Sequence, residues 1–276
     1  MTRRDSILRE MGLGPIWRLR DSAEADEQAA APVAAPAQAA APPEVVETPR
    51  PAAAVSPTIK RDMAALTEAP ASAATEAPAA RVVDASDLDW ERLTQKILAC
   101  RECALCEQRT QAVPGVGDRQ ADWLFVGEGP GAEEDARGEP FVGKAGKLLD
   151  AMLAAIDLAR GDNVYIANAV KCRPPMNRTP EPAELAACFP YLARQIELIR
   201  PRLIVALGRP AAQALLNTDI RIASARGRCF DYHGIPVIVT YHPAYLLRNP
   251  LDKAKAWEDL CFARRQMRVC LEKDTA

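Results

Sequence analysis

Histidine is almost absent from this chain. Only His233 and His242 occur among its 276 residues, so a site built on several imidazoles is excluded and acid–base chemistry has two places to go. Aromatic residues make up 5%, which makes any aromatic outside an apolar run informative. Basic charge is not in excess either: 35 Lys and Arg against 37 Asp and Glu give a formal net charge of -2. Contact with nucleic acid therefore has to come from a local patch, not from an overall field. No apolar run approaches the roughly 20 residues of a membrane span, and the opening Met1, Thr2, Arg3 and Arg4 are not followed by the apolar core of an export signal. A cytoplasmic protein with no membrane association is expected. Finally, no Gly-Lys-Ser or Gly-Lys-Thr follows the glycine turn at Gly127–Gly131, which disfavours a nucleotide-phosphate enzyme built on it.

Composition divides the chain. Residues 1–21 hold an amphipathic, arginine-rich island with Leu8, Met11, Leu13, Ile16, Trp17 and Leu19. It reads either as a segment that docks a protein partner or as a short helix folded back on the domain. Residues 22–85 are Ala- and Pro-rich with scattered Glu and no apolar face, and are expected to be a disordered tether. Residues 86–276 have the composition of an ordinary globular domain.

Within that domain, short apolar runs alternate with helical patterns. Asp87 to Ala99 opens with a helix. Trp123–Val126, Asn163–Val170, Arg202–Gly208 and Pro236–Tyr241 read as four buried strands, with helices over Lys147–Ala159, Pro182–Ile199, Pro210–Leu216 and Lys253–Leu271 between and after them. Arg226–Tyr232 reads as an antiparallel or edge piece. The pattern predicts an α/β domain of three layers around a four-stranded parallel sheet. Such a sheet places the ends of its strands at one edge, where open α/β folds bind ligands. Three ends are chemically unusual. The first breaks into Gly127, Glu128, Gly129, Pro130 and Gly131; the second ends on Asn168; the fourth ends on His242 ahead of Pro243.

Each of these has a bland alternative. The glycine turn is equally a tight strand-to-helix connection, although a carboxylate within it, Glu128, is costly to keep without a partner or a task. Asn168 satisfies either backbone groups or a planar donor–acceptor edge of a ligand. Phe141, in the loop Gly138–Gly143, is a satellite of the core or a stacking platform. In the segment His242–Arg248, Leu246 and Leu247 either pack inward or form a wedge beside the phosphate-seeking Arg248.

The eight cysteines, with no export signal, are expected to stay reduced. Cys100 and Cys103 have ligand-pair spacing, and Cys172 and Cys188 lie farther along on a loop and a helix. Four thiolates suit zinc or an iron–sulfur cluster; spacing alone leaves the choice open, and Cys106 offers a rival ligand.

Taken together, Gly127–Gly131 with Glu133–Asp135, Gly138–Gly146, Tyr165–Pro175 and His242–Arg248 resemble, in order, the motifs of the family 4 iron–sulfur uracil-DNA glycosylases. The resemblance runs from about Ser86 to Cys270. It implies a [4Fe–4S] cluster on Cys100, Cys103, Cys172 and Cys188, and a monomeric enzyme acting on uracil in single- and double-stranded DNA. It also implies a uracil pocket of Gly127, Glu128, Gly129, Phe141, Asn168 and His242. Leu246 and Arg248 would contact DNA. His242 would assist departure of the base, and Glu128, or the acidic pair Glu134 and Asp135, would stabilise the sugar cation or help the attacking water. Gly129 stands where the best-known uracil glycosylases carry a water-orienting Asp, so the resemblance assigns no residue to that task. The alternative from another class is a non-catalytic iron–sulfur protein that binds DNA as a scaffold.

Overall fold

The structure is a computed structural model that describes residues 84–274. The amphipathic island and nearly all of the expected tether fall outside the described residues. Asp89 starts the first helix, α1 (Trp90–Ala99), its side chain accepting from the amide of Arg92, as expected of a helix-capping aspartate. A short helix, α2 (Leu105–Gln108), follows.

The sheet has six strands, in the order β1 (Val116–Gly117), β3 (Val164–Asn168), β2 (Trp123–Gly127), β4 (Leu203–Leu207), β6 (Ile235–Thr240) and β5 (Cys229–Tyr232). The sequence pattern anticipates the inner strands: β3, β2, β4 and β6 run parallel. It does not anticipate the whole sheet, which is mixed. β5 is the antiparallel edge piece expected over Arg226–Tyr232, paired with β6, whereas β1 adds a second antiparallel edge on β3 that the pattern does not show, so the sheet is six-stranded and not a four-stranded parallel one. Two residues such as Val116 and Gly117 carry no alternation of their own, and their pairing is fixed by the neighbour.

Strands buried on both faces need apolar residues at every position, and β2, β3 and β4 are buried throughout. Trp123, Phe125, Val164, Ile166, Val205 and Ile238 pack on one face against α4 (Lys144–Ala155) and α9 (Lys253–Asp274). Leu124, Val126, Ala167, Ile204 and Val239 pack on the other face against α5 (Pro182–Ile199) and α6 (Arg209–Leu216). The result is three layers. A smaller cluster joins α1 and α5 through Leu93, Ile97, Cys172, Cys188 and Tyr191. α3 (Ala132–Arg137), α7 (Ile222–Ala225) and α8 (Pro243–Arg248) are single turns or little more beside the strand ends. Among the described residues, no helix is long and apolar enough to cross a membrane.

Register then builds the site. In the β2–β3 pair Gly127 stands beside Asn168; in the β4–β6 pair Leu207 stands beside Thr240, so the chain leaves the sheet at Gly208 and at Tyr241–His242 on the same edge.

Candidate active site

The strand ends open into a cleft of about 540 Å³, lined among others by Glu128, Glu134, Phe141, Asn168, His242 and Arg248. Asn168 is buried, and its Oδ1 has no hydrogen-bond partner. Buried polar atoms are rarely left so, because an unmet group costs about 1–3 kcal/mol. The closeness of its neighbours explains Gly127: a Cβ there would lie 2.4 Å from Asn168 Oδ1 and 2.5 Å from Phe141 Cζ.

Phe141 is held in an unusual backbone conformation, φ 55°. Arg160 fixes it by donating to the carbonyls of Pro140 (2.8 Å) and Phe141 (2.7 Å) while its Nε and Nη2 pair with Asp150. Helix α4 begins directly behind this carbonyl, and a Cβ at Gly146 would lie 1.7 Å from it; only glycine fits. The phenyl ring lies 5.4 Å from the His242 imidazole, centroid to centroid, tilted by 30°.

His242 caps α8. Its Nδ1 accepts from the amide of Ala244 at 3.1 Å, which leaves the proton of a neutral imidazole on Nε2. Burial, helped by the nearby Arg248 charge and opposed by Glu134, lowers its pKa to about 4. The ring is therefore neutral at physiological pH and carries its proton on Nε2.

The carboxylates separate into different environments. Burial raises the pKa of Glu128, while a hydrogen bond with Thr179 and the charge of Arg248 pull it back. Glu134 ties two loops together: Oε1 accepts from the amides of Val142 (2.9 Å) and Gly143 (3.0 Å), and Oε2 from that of Gly131 (3.1 Å). Asp135 does not line the cleft. Its buried carboxylate accepts from the amides of Thr110 (2.9 Å) and Gln111 (3.4 Å), and so is turned toward the segment after α2. Leu246 is also elsewhere than a DNA wedge requires. It is 1% exposed and packs in the core with Phe141, whereas Leu247 is 42% exposed. The phase of α8 sends the first inward and the second outward.

Away from the cleft, Cys100, Cys103, Cys172 and Cys188 line one small gap together with Cys106. Nitrogen donors face the sulfurs: Arg109 Nη1 lies 2.8 Å from Cys172 Sγ, and the Lys171 amide 3.2 Å from Cys188 Sγ. Burial pushes the thiol of Cys172 up to about 11 and that of Cys188 up to about 12, with neighbouring sulfur charge adding to both. Among the described residues, no three His, Cys, Asp or Glu side chains converge to hold a single metal ion. The donor set of several sulfurs with N–H groups aimed at them fits a thiolate-bound group spanning the gap. Cys229 is exposed, and Cys261 and Cys270 are half-buried in α9.

Residues 114–261 match the family model described as the Uracil DNA glycosylase superfamily. The chain belongs to this superfamily. It is similar to the type-4 uracil-DNA glycosylase of Archaeoglobus fulgidus, 49% identical over 166 residues, which cover 57% of this chain and 83% of that protein. The type-4 enzyme of Pyrobaculum aerophilum is 43% identical over 181 residues, covering 63% and 92% respectively. That of Thermotoga maritima is 48% identical over 161 residues, covering 58% and 83%.

Some residues that shape the cleft and its surroundings escaped the sequence. Arg160 gives no sequence signal, because the groups it fixes at Pro140 and Phe141 are backbone carbonyls. Lys171 does: it is charged yet flanked by Val170 and Cys172 in an apolar context. It is 1% exposed and donates to the Asn168 carbonyl (2.9 Å) and to Gln195 Oε1 (2.6 Å), and Gln195 in turn donates to Pro114 O (2.8 Å). A buried lysine thus ties the end of β3 to α5 beside the cysteine gap.

Proposed function

We propose that the cleft receives a uracil swung out of DNA and that the chain hydrolyses its N-glycosidic bond, leaving free uracil and an abasic site. The observation that carries this is the orphaned Oδ1 of Asn168, in the same cleft as an aromatic ring and a neutral histidine donor. Uracil offers N3–H to that oxygen and O4 to the amide NH₂ of the same side chain. Cytosine reverses both polarities and leaves them facing like groups. The type-4 relatives, named as uracil-DNA glycosylases, support the same activity.

A base inside a duplex is out of reach, so the nucleotide is flipped at a cost of a few kcal/mol. Phe141 stacks on the extruded ring, and the turn at Gly127, Glu128 and Gly129 closes against C5, where thymine's methyl group would collide. As the C1′–N1 bond breaks, its electron pair leaves with uracil and C1′ becomes cationic. His242 Nε2–H donates to O2 of the departing anion without giving up its proton, which suits a group with a pKa of about 4. A preorganised donor of this kind is worth about 2.7–4 kcal/mol. Water then adds its oxygen to C1′, and its proton passes to Glu128, to solvent or to uracil N1. Glu128 lies at the cleft with its affinity for a proton raised, which fits it to steady the cation or receive that proton. Glu134 holds the loops around the base, and Asp135 holds α3 to the segment after α2. At the rim, Arg248 meets phosphate and Leu247 takes the place of the wedge.

Cys100, Cys103, Cys172 and Cys188 would hold a [4Fe–4S] cluster, with Cys106 beside it. The cluster would supply structural bracing, since the hydrolysis needs no electrons. Residues 1–21 would dock a protein partner through the 22–85 tether, and residues 86–276 would act as a monomer in the cytoplasm.

Incubation with single-stranded and duplex oligonucleotides carrying one uracil tests the activity, with free uracil as the readout. Release is expected from both. Tight binding without release from either overturns the enzyme in favour of the scaffold.

A further inference from the structure

Met176 stands out among the residues that the proposed chemistry leaves unused. Its side chain is 95% exposed, and its backbone is left-handed, with φ 53° and ψ 22°. Asn177 follows at φ 55°. Asparagine tolerates this region; methionine adopts it rarely and at a cost. A residue so placed is usually held by contacts that compensate, but a side chain this exposed makes almost none. Strain at a tip whose own side chain does nothing to offset it points to a task carried out by that side chain on something that binds.

The position says what binds. Pro174, Asn177, Arg178 and Thr179, on either side of Met176, line the cleft. Helix α8 lines the same cleft, with Ala244, Tyr245 and Arg248 in the lining and Leu247 exposed beside them. Glu128 is within reach of both segments, bonded by Thr179 and facing Arg248. The tip is also stiff. Asn177 and Arg178 donate their amides to Pro174 O (3.0 Å) and Pro175 O (3.1 Å), Arg173 Nε donates to Asn177 Oδ1 (2.8 Å), and Arg178 makes a two-pronged pair with Glu184 (2.8 and 2.7 Å). A rigid tip bearing one unbranched apolar side chain, among arginines at the mouth of a base-sized cleft, has the build of a wedge for stacked bases.

We propose that Met176 is a second apolar wedge, inserted beside the extruded uracil from the 174–179 segment while Leu247 enters from α8, and needed chiefly where a duplex has to be unstacked. This rests on the proposed base-flipping activity. The decisive variant is Met176→Gly, because glycine relieves the left-handed strain while deleting the side chain. In the full-length cluster-loaded protein its Tm is expected at or above that of the wild type. Single-turnover uracil release is expected to fall by about tenfold more on duplex than on single strand, near the lower end of what one base stack is worth by truncation. A 2-aminopurine placed next to the uracil should show correspondingly less unstacking, and Met176→Leu should restore both signals. An unchanged duplex-to-single-strand ratio, a Leu variant as weak as the Gly variant, or a lowered Tm for Met176→Gly would each overturn the wedge. If the wild type releases no uracil from either strand form, the activity itself fails. Equilibrium binding of the same oligonucleotides then decides the wedge, equal weakening on both forms counting against it.

Discussion

Gly127 and Asn168 face each other across adjacent parallel strands so closely that a methyl group on the first would lie 2.4 Å from Oδ1 of the second. Both close neighbours are side chains, so they have to move to make room. The other near atom, Phe141 Cζ at 2.5 Å, belongs to a ring whose backbone is fixed by Arg160. Gly127→Ala is therefore expected to displace the two side chains proposed to sandwich and read the base. The protein should still fold, with a loss of about 1–3 kcal/mol from overpacking. Uracil release should fall by at least tenfold, with the larger part in KM if the pocket is partly blocked. Parallel measurements of Tm and of single-turnover rate against substrate concentration would check it, and an unchanged rate would remove Gly127 and Asn168 from the pocket.

Asn168→Asp addresses the reading of the base directly. A carboxylate keeps the acceptor and loses the NH₂ donor, so the bond to uracil O4 becomes a repulsion while the amino group of cytosine gains a partner. Discrimination that depends on buried polar complementarity is large, because the wrong partner leaves groups unmet. The expected result is a loss of about 10²-fold or more in uracil release, with uracil-to-cytosine selectivity falling as well. Competition between uracil- and cytosine-containing oligonucleotides measures it, and unaltered selectivity would mean that another residue reads the edge.

His242 sets the pH behaviour. With its pKa lowered to about 4 against an ordinary value near 6.5, the folded protein binds fewer protons than the unfolded chain between those limits. This contribution to stability is complete above about pH 6.5 and is lost as pH falls toward 4. A donor that works as neutral imidazole should give uracil release that does not respond to pH around 6.5, where a free histidine would titrate. His242→Ala should lower the single-turnover rate by about 10²–10³-fold. A bell limb near pH 6.5 in the wild type, absent in the variant, would show that the imidazolium is the working form.

Much of this site was legible in the sequence, and what was not has physical causes. The inner strands could be read because burial on both faces demands unbroken apolar runs, as in Leu203–Leu207, and their polar ends at Glu128, Asn168 and His242 marked the edge. The edge strand at Val116–Gly117 could not be read, since two residues have no period. Leu246 and Leu247 are chemically alike, and only the phase of α8 decides that the second is exposed. Asp135 and Glu134 are neighbours in a run of acids. Their separate duties depend on loops remote in the chain, Thr110–Gln111 for one and Val142–Gly143 for the other. Backbone conformation is the least legible of all, and Phe141 and Met176 gave no sign of their positive φ.

The cysteine gap gives the remaining prediction. Cys172 and Cys188 belong at once to this gap and to the cluster of apolar residues that joins α1 to α5. The segment between Asn168 and Cys172 is also pinned by Lys171. Loss of a thiolate-held group would leave buried thiols with donors from Arg109 and the Lys171 amide aimed at them, and would loosen the loop that runs from Cys172 into the cleft wall at Pro174. Cys172→Ala is therefore expected to lower iron and sulfide content, weaken the visible absorbance of iron–sulfur clusters and reduce Tm by several degrees. Cys229→Ala, on an exposed position of β5, should alter none of these. Hydrogen exchange should show the added opening at residues 169–180, while the amides of β4 stay protected. Wild-type iron content in Cys172→Ala would remove that cysteine from the ligand set. An iron-free wild type, with exchange at 169–180 unchanged by Cys172→Ala, would make the gap an ordinary thiol-lined core.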